Sequence, residues 1–201
     1  MKQAKVLSDK EFKRVLSVVS TMRHGARNRL AVLLSHYAGL RVGEIAHLKI
    51  KDVVGPMGDV LDRLYLNPTY TKGGYSRTVF MNAKLIKEIT KYLQGLSTLC
   101  EPLSARRQKK ILSGDAPLIA SQRRKYFSAN TLCQLFGEIY ESAGIVGGSS
   151  HSGRRGFISK LAHAGVSPKV IMELAGHRNL NTTQGYIDVT EDMMQKAVEI
   201  L

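Results

Sequence analysis

The 201-residue chain has no tryptophan, two cysteines, five prolines and about half as many acidic side chains (16) as basic ones (30). Each shortage excludes something. Cys100 and Cys133 form no CxxC pair and no Cys/His ligand spacing, which leaves neither a disulfide framework nor a zinc site, and both read as ordinary thiols. No apolar run approaches the roughly 18 residues that a membrane span needs. Met1 to Lys10 lacks an apolar signal core, so a cytoplasmic protein without membrane partners is expected. Aromatic residues are 6% of the chain and form no RNA-stacking motif, which disfavours a generic basic RNA-binding protein. No glycine-rich phosphate loop, ligand-spaced cluster or clear pair of carboxylates is visible. What the chain does have is 43% hydrophobic residues, enough for one domain with a proper core, and a net charge of +14.

Such a surplus fits nucleic acid, an anionic membrane surface or an acidic protein, and nucleic acid is the commonest of the three. The charge is unevenly spread. Residues 182–201 carry four carboxylates against Lys196, a net of −3, which leaves +17 on residues 1–181. The densest patches are Arg106, Arg107, Lys109 and Lys110, then Arg123, Arg124 and Lys125. Each patch taken alone reads equally well as a solvated face or as a phosphate contact.

Pattern along the chain is mainly helical. Ser8 with Glu11 forms a capping box before Phe12, Val15, Leu16 and Val19 at helical spacing, which predicts a first helix of about 12 residues. Arg27 to Ala38 predicts a helix ended by Gly39, and Gly43 to Leu48 a short further one. Leu64 and Leu66, a Gly73-Gly74 turn, then Tyr75, Arg77, Val79 and Met81 in alternation predict one β-hairpin. Asn82 caps a helix from Ala83 to about Leu93. Residues 95–117 read as a long basic connection with a helix near 104–112. Ser128 caps a helix to about Ser142, another is expected from about Gly153 to Ala164, and Ser167-Pro168 opens one that ends near Gly176-His177. Short helices at 181–186 and 190–201 complete the chain. The fold class expected is α+β, mainly α with a small antiparallel hairpin sheet.

Four groups of residues bear on chemistry, and each alone has an ordinary structural reading. Arg41 and Glu44 suit a helix-surface ion pair. His151 and Arg154, spaced i and i+3, suit one exposed helix face. His177 closes a helix, where an imidazolium would favour the negative dipole end. Tyr186 would be a half-buried aromatic.

Their order along the chain changes this. Leu40-Arg41-Val42-Gly43-Glu44, Thr71-Lys72-Gly73-Gly74, His151-Ser152-Gly153-Arg154 and Leu174-Ala175-Gly176-His177, with Tyr186 nine residues further, together resemble the tyrosine recombinase (phage integrase) family. The resemblance runs from Leu40 to Tyr186. It implies a tyrosine recombinase or type IB topoisomerase-like catalytic domain that cleaves and rejoins double-stranded DNA. Tyr186 would be the nucleophile, forming a 3′-phosphotyrosyl link. Arg41 and Arg154 would grip the non-bridging phosphate oxygens through paired guanidinium hydrogen bonds. Lys72 would protonate the leaving 5′-oxygen, His151 would assist proton transfer from Tyr186, and His177 would hydrogen-bond the phosphate. Glu44 would orient Arg41 or His151 from behind. Arg77, Arg155 and Arg178 join the basic patches as candidate DNA contacts. One phosphodiester is exchanged for another of similar energy, so no ATP, metal or other cofactor is expected.

Three departures from the family pattern stand out. Arg155 occupies the place after Arg154 where many members have His, and it is expected to adjust packing or phosphate contact. Ser149-Ser150 precede His151 where a proline-containing turn is frequent. Only 40 residues precede Arg41, whereas a separate DNA-clamping domain takes about 80 to 100 more. The expectation is therefore one catalytic domain, residues 1–186, with a helical tail at 187–201 and no clamp domain, similar to short invertase-type members. The resemblance also implies a homo-tetramer on paired sites through a Holliday junction, monomeric or weakly associated without DNA and aided by accessory DNA-bending proteins. Met194, Ala197, Val198 and Leu201 would dock the tail in trans. The alternatives are topoisomerase-like nicking and resealing, or a DNA-binding regulatory protein of the same fold.

Overall fold

Helix α1 (Asp9–Thr21) shows how local sequence sets a boundary. In the computed structural model, which describes residues 3–71, 74–100, 104–105, 112–123, 125–187 and 189–199, the Ser8 hydroxyl accepts from the Glu11 N–H at 3.3 Å. The Glu11 carboxylate accepts from the Ser8 N–H at 3.0 Å, so two otherwise unpaired donors are satisfied reciprocally. Phe12, Val15 and Val19 then fall on one stripe and are buried.

Helix α2 (Gly25–Ala38) is buried nearly all round and forms the centre of the molecule. Helices α1, α5 (Ala83–Cys100) and α7 (Ser152–His163) pack against it. Between α2 and α5 come α3 (Val42–His47), α4 (Ile50–Val53) and an antiparallel pair, β1 (Arg63–Leu66) and β2 (Arg77–Phe80). Leu64 faces Val79 across the pair, and Leu64, Leu66 and Val79 point into the main core, while Tyr65 and Phe80 alternate outward. Helix α6 (Ala129–Ser142) closes the other side of that core through Leu132, Phe136 and Ile139. Among the described residues the chain is mostly helical with one two-stranded sheet, as the pattern predicts.

A second, smaller core lies beyond α7. Ile158 and Ala162 from α7 meet Ile171 and Ala175 from α8 (Pro168–Ala175), with Phe157, Tyr186 and Ile187 partly buried against them. Helices α9 (Leu180–Gln184) and α10 (Glu191–Val198) follow.

Boundaries differ from the expectation in three places. Helix α5 continues past Leu93 through Gly95, whose Cβ position is open space; a glycine inside an exposed helix costs about 1 kcal/mol without ending it. The short α4 and a 3-10 turn at Pro68–Tyr70, capped by Asn67, were too brief to leave a periodic signal. The helix expected near 104–112 falls largely outside the described residues. Among the described residues no helix is long and apolar enough to cross a membrane.

Candidate active site

The end of α8 organises the site. Ser167 caps the helix start, Pro168 occupies its first turn, and Gly176 at φ +65° turns the chain out of it. Three successive carbonyls at this end each accept from a different arginine. Leu174 O takes Arg77 Nη1 at 2.8 Å, Ala175 O takes Arg154 Nη2 at 2.6 Å and Gly176 O takes Arg41 Nη2 at 3.2 Å. The negative end of a helix dipole favours cations, and here it gathers three of them. A side chain at position 176 would meet Arg77, with a Cβ 2.7 Å from its Nε, so glycine is required for close approach as well as for the positive φ.

Glu44 supplies the formal counter-charge. It is 1% exposed, and its Oε1 accepts from Arg41 Nη1 at 2.9 Å while Oε2 accepts from Arg77 Nη2 at 2.8 Å. Oε2 also accepts from the Arg41 N–H at 2.8 Å, which caps α3. Burial by itself would raise the pKa of this carboxyl, but Arg77, then Arg41 and Arg154, outweigh it and hold the group below the usual carboxylate range.

Arg154 joins the two ends of the frame. Gly39, at φ +61°, ends α2 in a space where a Cβ would lie 2.5 Å from the Phe157 ring, and its carbonyl accepts Arg154 Nη1 at 2.6 Å. Gly153 lets the first turn of α7 press against α2, since a Cβ there would sit 2.6 Å from Ser35 Oγ. Arg154 is 3% exposed; burial, then the neighbouring Arg41, brings its pKa down to about 9, which leaves it charged at neutral pH.

His177 follows Gly176, and its backbone N–H rather than its side chain caps α8, donating to Met172 O at 3.0 Å. The imidazole is buried, with Nδ1 2.9 Å from the hydroxyl of the fully buried Thr183. Burial, then Arg154, Arg41 and Arg77, pushes its pKa down to about 4, so it is neutral at neutral pH. That excludes an imidazolium serving the helix dipole. A neutral ring whose Nδ1 accepts from Thr183 presents an Nε2–H donor on its other side.

Arg41, Glu44, Arg77 and His177 line a cleft of about 480 Å³ together with Arg178 and with Thr71 and Tyr75 of the hairpin. Arg178 stacks its guanidinium 3.7 Å from the centroid of the Tyr75 ring at the rim. Tyr186 lies just behind, its ring centroid 5.5 Å from that of His177 and the two ring planes inclined by 29°. Its carbonyl accepts from Ser159 Oγ of α7 at 3.3 Å. Fixed hydrogen-bond donors around a concave cationic site suit a phosphate that gains charge during reaction.

The structure thus brings together Arg41, Glu44, Arg154, His177 and Tyr186. His151 stands just before α7 and is exposed, its backbone N–H donating to Ser149 Oγ at 3.3 Å. Glu44 holds Arg41, one of its two expected partners, together with Arg77. Arg77, expected as a surface DNA contact, is turned inward with 11% of its side chain exposed. The signal was available, because strand alternation places Arg77 on the same face as buried Val79 and Met81. Arg123 and Lys125 are exposed on a turn apart from the cleft lining. Arg155 is half-buried against Tyr186, with its guanidinium carbon 5.3 Å from the ring centroid. Lys72, Arg106, Arg107, Lys109, Lys110 and Arg124 lie outside the described residues. Sequence reasoning missed Thr183, which in the polar run Asn181-Thr182-Thr183-Gln184 carries no distinguishing mark, and it missed the three α8 carbonyls, which no side-chain pattern can reveal. Among the described residues no cluster of three or more His, Cys, Asp or Glu is placed to hold a metal ion.

Comparison with known proteins identifies the family and the fold. The sequence profile of the phage integrase family matches residues 5–193. Tyrosine recombinase XerA of Thermococcus kodakarensis is 35% identical over 195 residues, covering 97% of this chain and 62% of that protein. The crystal structure of a XerA recombinase superposes with a TM-score of 0.72 at 24% identity, covering 98% of this chain and 63% of the other. A XerH site-specific recombinase bound to its palindromic difH substrate, in a post-cleavage complex, gives 0.72 at 21% identity over 99% and 53%. The chain spans about three fifths of the length of the curated relatives it matches. With a profile match over nearly its whole length and a relative more than 30% identical, the chain belongs to the phage integrase family.

Proposed function

We propose that the chain carries the catalytic machinery of a site-specific DNA recombinase that works through a 3′-phosphotyrosyl intermediate. The observation that carries this reading is the set of three arginines held on α8 carbonyls and Glu44, with His177 and Tyr186 beside them. In the reaction Tyr186 Oη attacks the scissile phosphorus, the P–O5′ bond breaks, and the phenolic proton is released to a base, for which His151 is the candidate. Arg41 and Arg154 neutralise charge on the non-bridging oxygens, and His177 donates its Nε2–H to one of them. The departing 5′-oxygen takes a proton from a general acid, the part proposed for Lys72. Attack by a 5′-hydroxyl from another strand then reverses these steps, so no energy source is consumed.

Further support comes from recombinases of similar fold that were solved on DNA, and from the +17 charge of residues 1–181. Action on chromosomal or phage DNA would place the protein in the cytoplasm. Helix α10 leaves Met194 and Val198 exposed, at 53% and 64%, which suits docking onto a neighbouring copy in a tetramer on paired sites.

The test is a nicked suicide duplex bearing the recombination site. A covalent protein–DNA adduct that is lost in Tyr186→Phe is expected; no adduct on any site-bearing duplex would favour a non-catalytic DNA-binding role. On plasmids with paired sites, inverted or direct orientation separates inversion from excision. Supercoil relaxation without exchange would favour the topoisomerase reading. Removal of residues 190–201 should leave adduct formation intact and abolish strand exchange.

A further inference from the structure

We propose that Arg155, tethered by Gln3, is a positioning residue that seats the Tyr186 ring for attack. The proposal rests on Tyr186 being the nucleophile, as read above. Arg154 and Arg155 are consecutive on α7, so their side chains leave the helix about 100° apart. Arg154 enters the carbonyl frame. Arg155 projects toward Tyr186 instead, within the range over which a guanidinium is attracted to an aromatic face.

Two further observations set Arg155 apart from an ordinary surface cation. Its Nε is buried with no hydrogen-bond partner, and its Nη1 donates to Gln3 Oε1 at 2.5 Å. A buried unpaired donor is destabilising, so this conformation is maintained by its other contacts, of which the aromatic ring and Gln3 are the two the structure shows. Gln3 is itself held in place, because the Lys5 N–H donates to Gly147 O at 3.0 Å and Leu7 is buried. The N-terminal segment therefore passes the loop before α7 and brings Gln3 to Arg155.

One face of α7 thereby makes a seat for the nucleophile. Residues 155 and 159 are i and i+4, hence stacked on one face of the helix. Arg155 takes the ring of Tyr186 and Ser159 takes its backbone carbonyl, so both the side chain and the main chain of this residue are referred to the same helix. Arg154, on the adjoining face, is referred to that helix as well. The separation between nucleophile and phosphate-binding cation is then set within α7 itself.

The experiment compares wild type, Arg155→Met, Arg155→Lys, Gln3→Ala and Tyr186→Phe. Single-turnover adduct formation on the nicked duplex is measured at saturating protein, and DNA affinity is measured against salt. Arg155→Met keeps the length and loses the charge; it should slow adduct formation about 10-fold, the scale of one cation–π contact, with affinity and salt slope unchanged. Arg155→Lys should recover part of that rate, and Gln3→Ala should slow it by about 3-fold with the same thermal midpoint as wild type. An unchanged saturated rate in both Arg155→Met and Gln3→Ala overturns the proposal. So does a loss confined to affinity with a shallower salt dependence, which would make Arg155 a phosphate contact. If Arg155→Met does not fold, Gln3→Ala alone decides. An adduct that persists in Tyr186→Phe would instead overturn the nucleophile assignment, and the seat with it.

Discussion

Arg41, Arg77 and Arg154 each bridge two fixed acceptors through the guanidinium, whereas Tyr186, beside His177, is hydrogen-bonded through its backbone, to Ser159 Oγ and Thr183 O, and its side chain is held by ring contacts with His177 and Arg155. The contrast extends to the cores behind them. Arg41 and Arg77 come from the start of α3 and from the hairpin, elements of the main core; Tyr186 rests on the satellite core of Ile158, Ala162, Ile171 and Ala175, whose helices also carry Arg154 and the carbonyl acceptors. Charges that must face a developing phosphate charge act best when no reorganisation is left to be done. A nucleophile that must attack, remain bonded to DNA and later be released is suited to a weakly anchored segment, drawn from the low-stability end of the fold.

Breaking the rigid half should have the largest effect. Arg154→Lys keeps the charge but cannot reach Gly39 O and Ala175 O together, and adduct formation on the nicked duplex should fall by about 10³-fold. Glu44→Gln leaves Arg77 buried without its counter-charge, and urea unfolding should show a loss of about 3 kcal/mol. On the other side of the comparison, Thr183→Val frees the His177 tautomer without touching the main core. It should slow cleavage by about 10-fold while costing about 1 kcal/mol of stability at most.

The smallest effect concerns pH. His36, buried and stacked on Phe12 at 3.6 Å between ring centroids, has its pKa lowered to about 4, chiefly by burial, and His177 is lowered likewise. A base whose folded pKa lies below its unfolded value near 6.5 binds more protons when unfolded. The stability it contributes is complete above pH 6.5 and is lost as pH falls toward 4. Between pH 6.5 and 5, before most carboxylates titrate, the urea midpoint should decline with falling pH, and His36→Gln should flatten that decline.

The same two halves differ in how far they could be read from the sequence. Capping residues such as Ser8, Ser128 and Ser167 marked helix starts, and the spacing of Arg41, His151, Arg154, His177 and Tyr186 marked the family. These are local signals. What joined the arginines was not local: the acceptors are backbone carbonyls at the end of α8, and every residue type has one. Arg77 reads as one more basic candidate for DNA, although its alternation with buried Val79 is the better guide. Arg155 looked like a departure from pattern, and only the fold shows the Tyr186 ring beside it.

Glu44 and the α8 carbonyls hold Arg41 and Arg77 as one unit. A double-mutant cycle of Glu44→Gln and Arg77→Met, read by the single-turnover rate of adduct formation at saturating DNA, tests it most directly. Each single change is expected to slow cleavage about 100-fold and the double change scarcely further, a coupling of about 2 to 3 kcal/mol. Independent losses that add in the double variant, or a rate unaffected by either change, would contradict it.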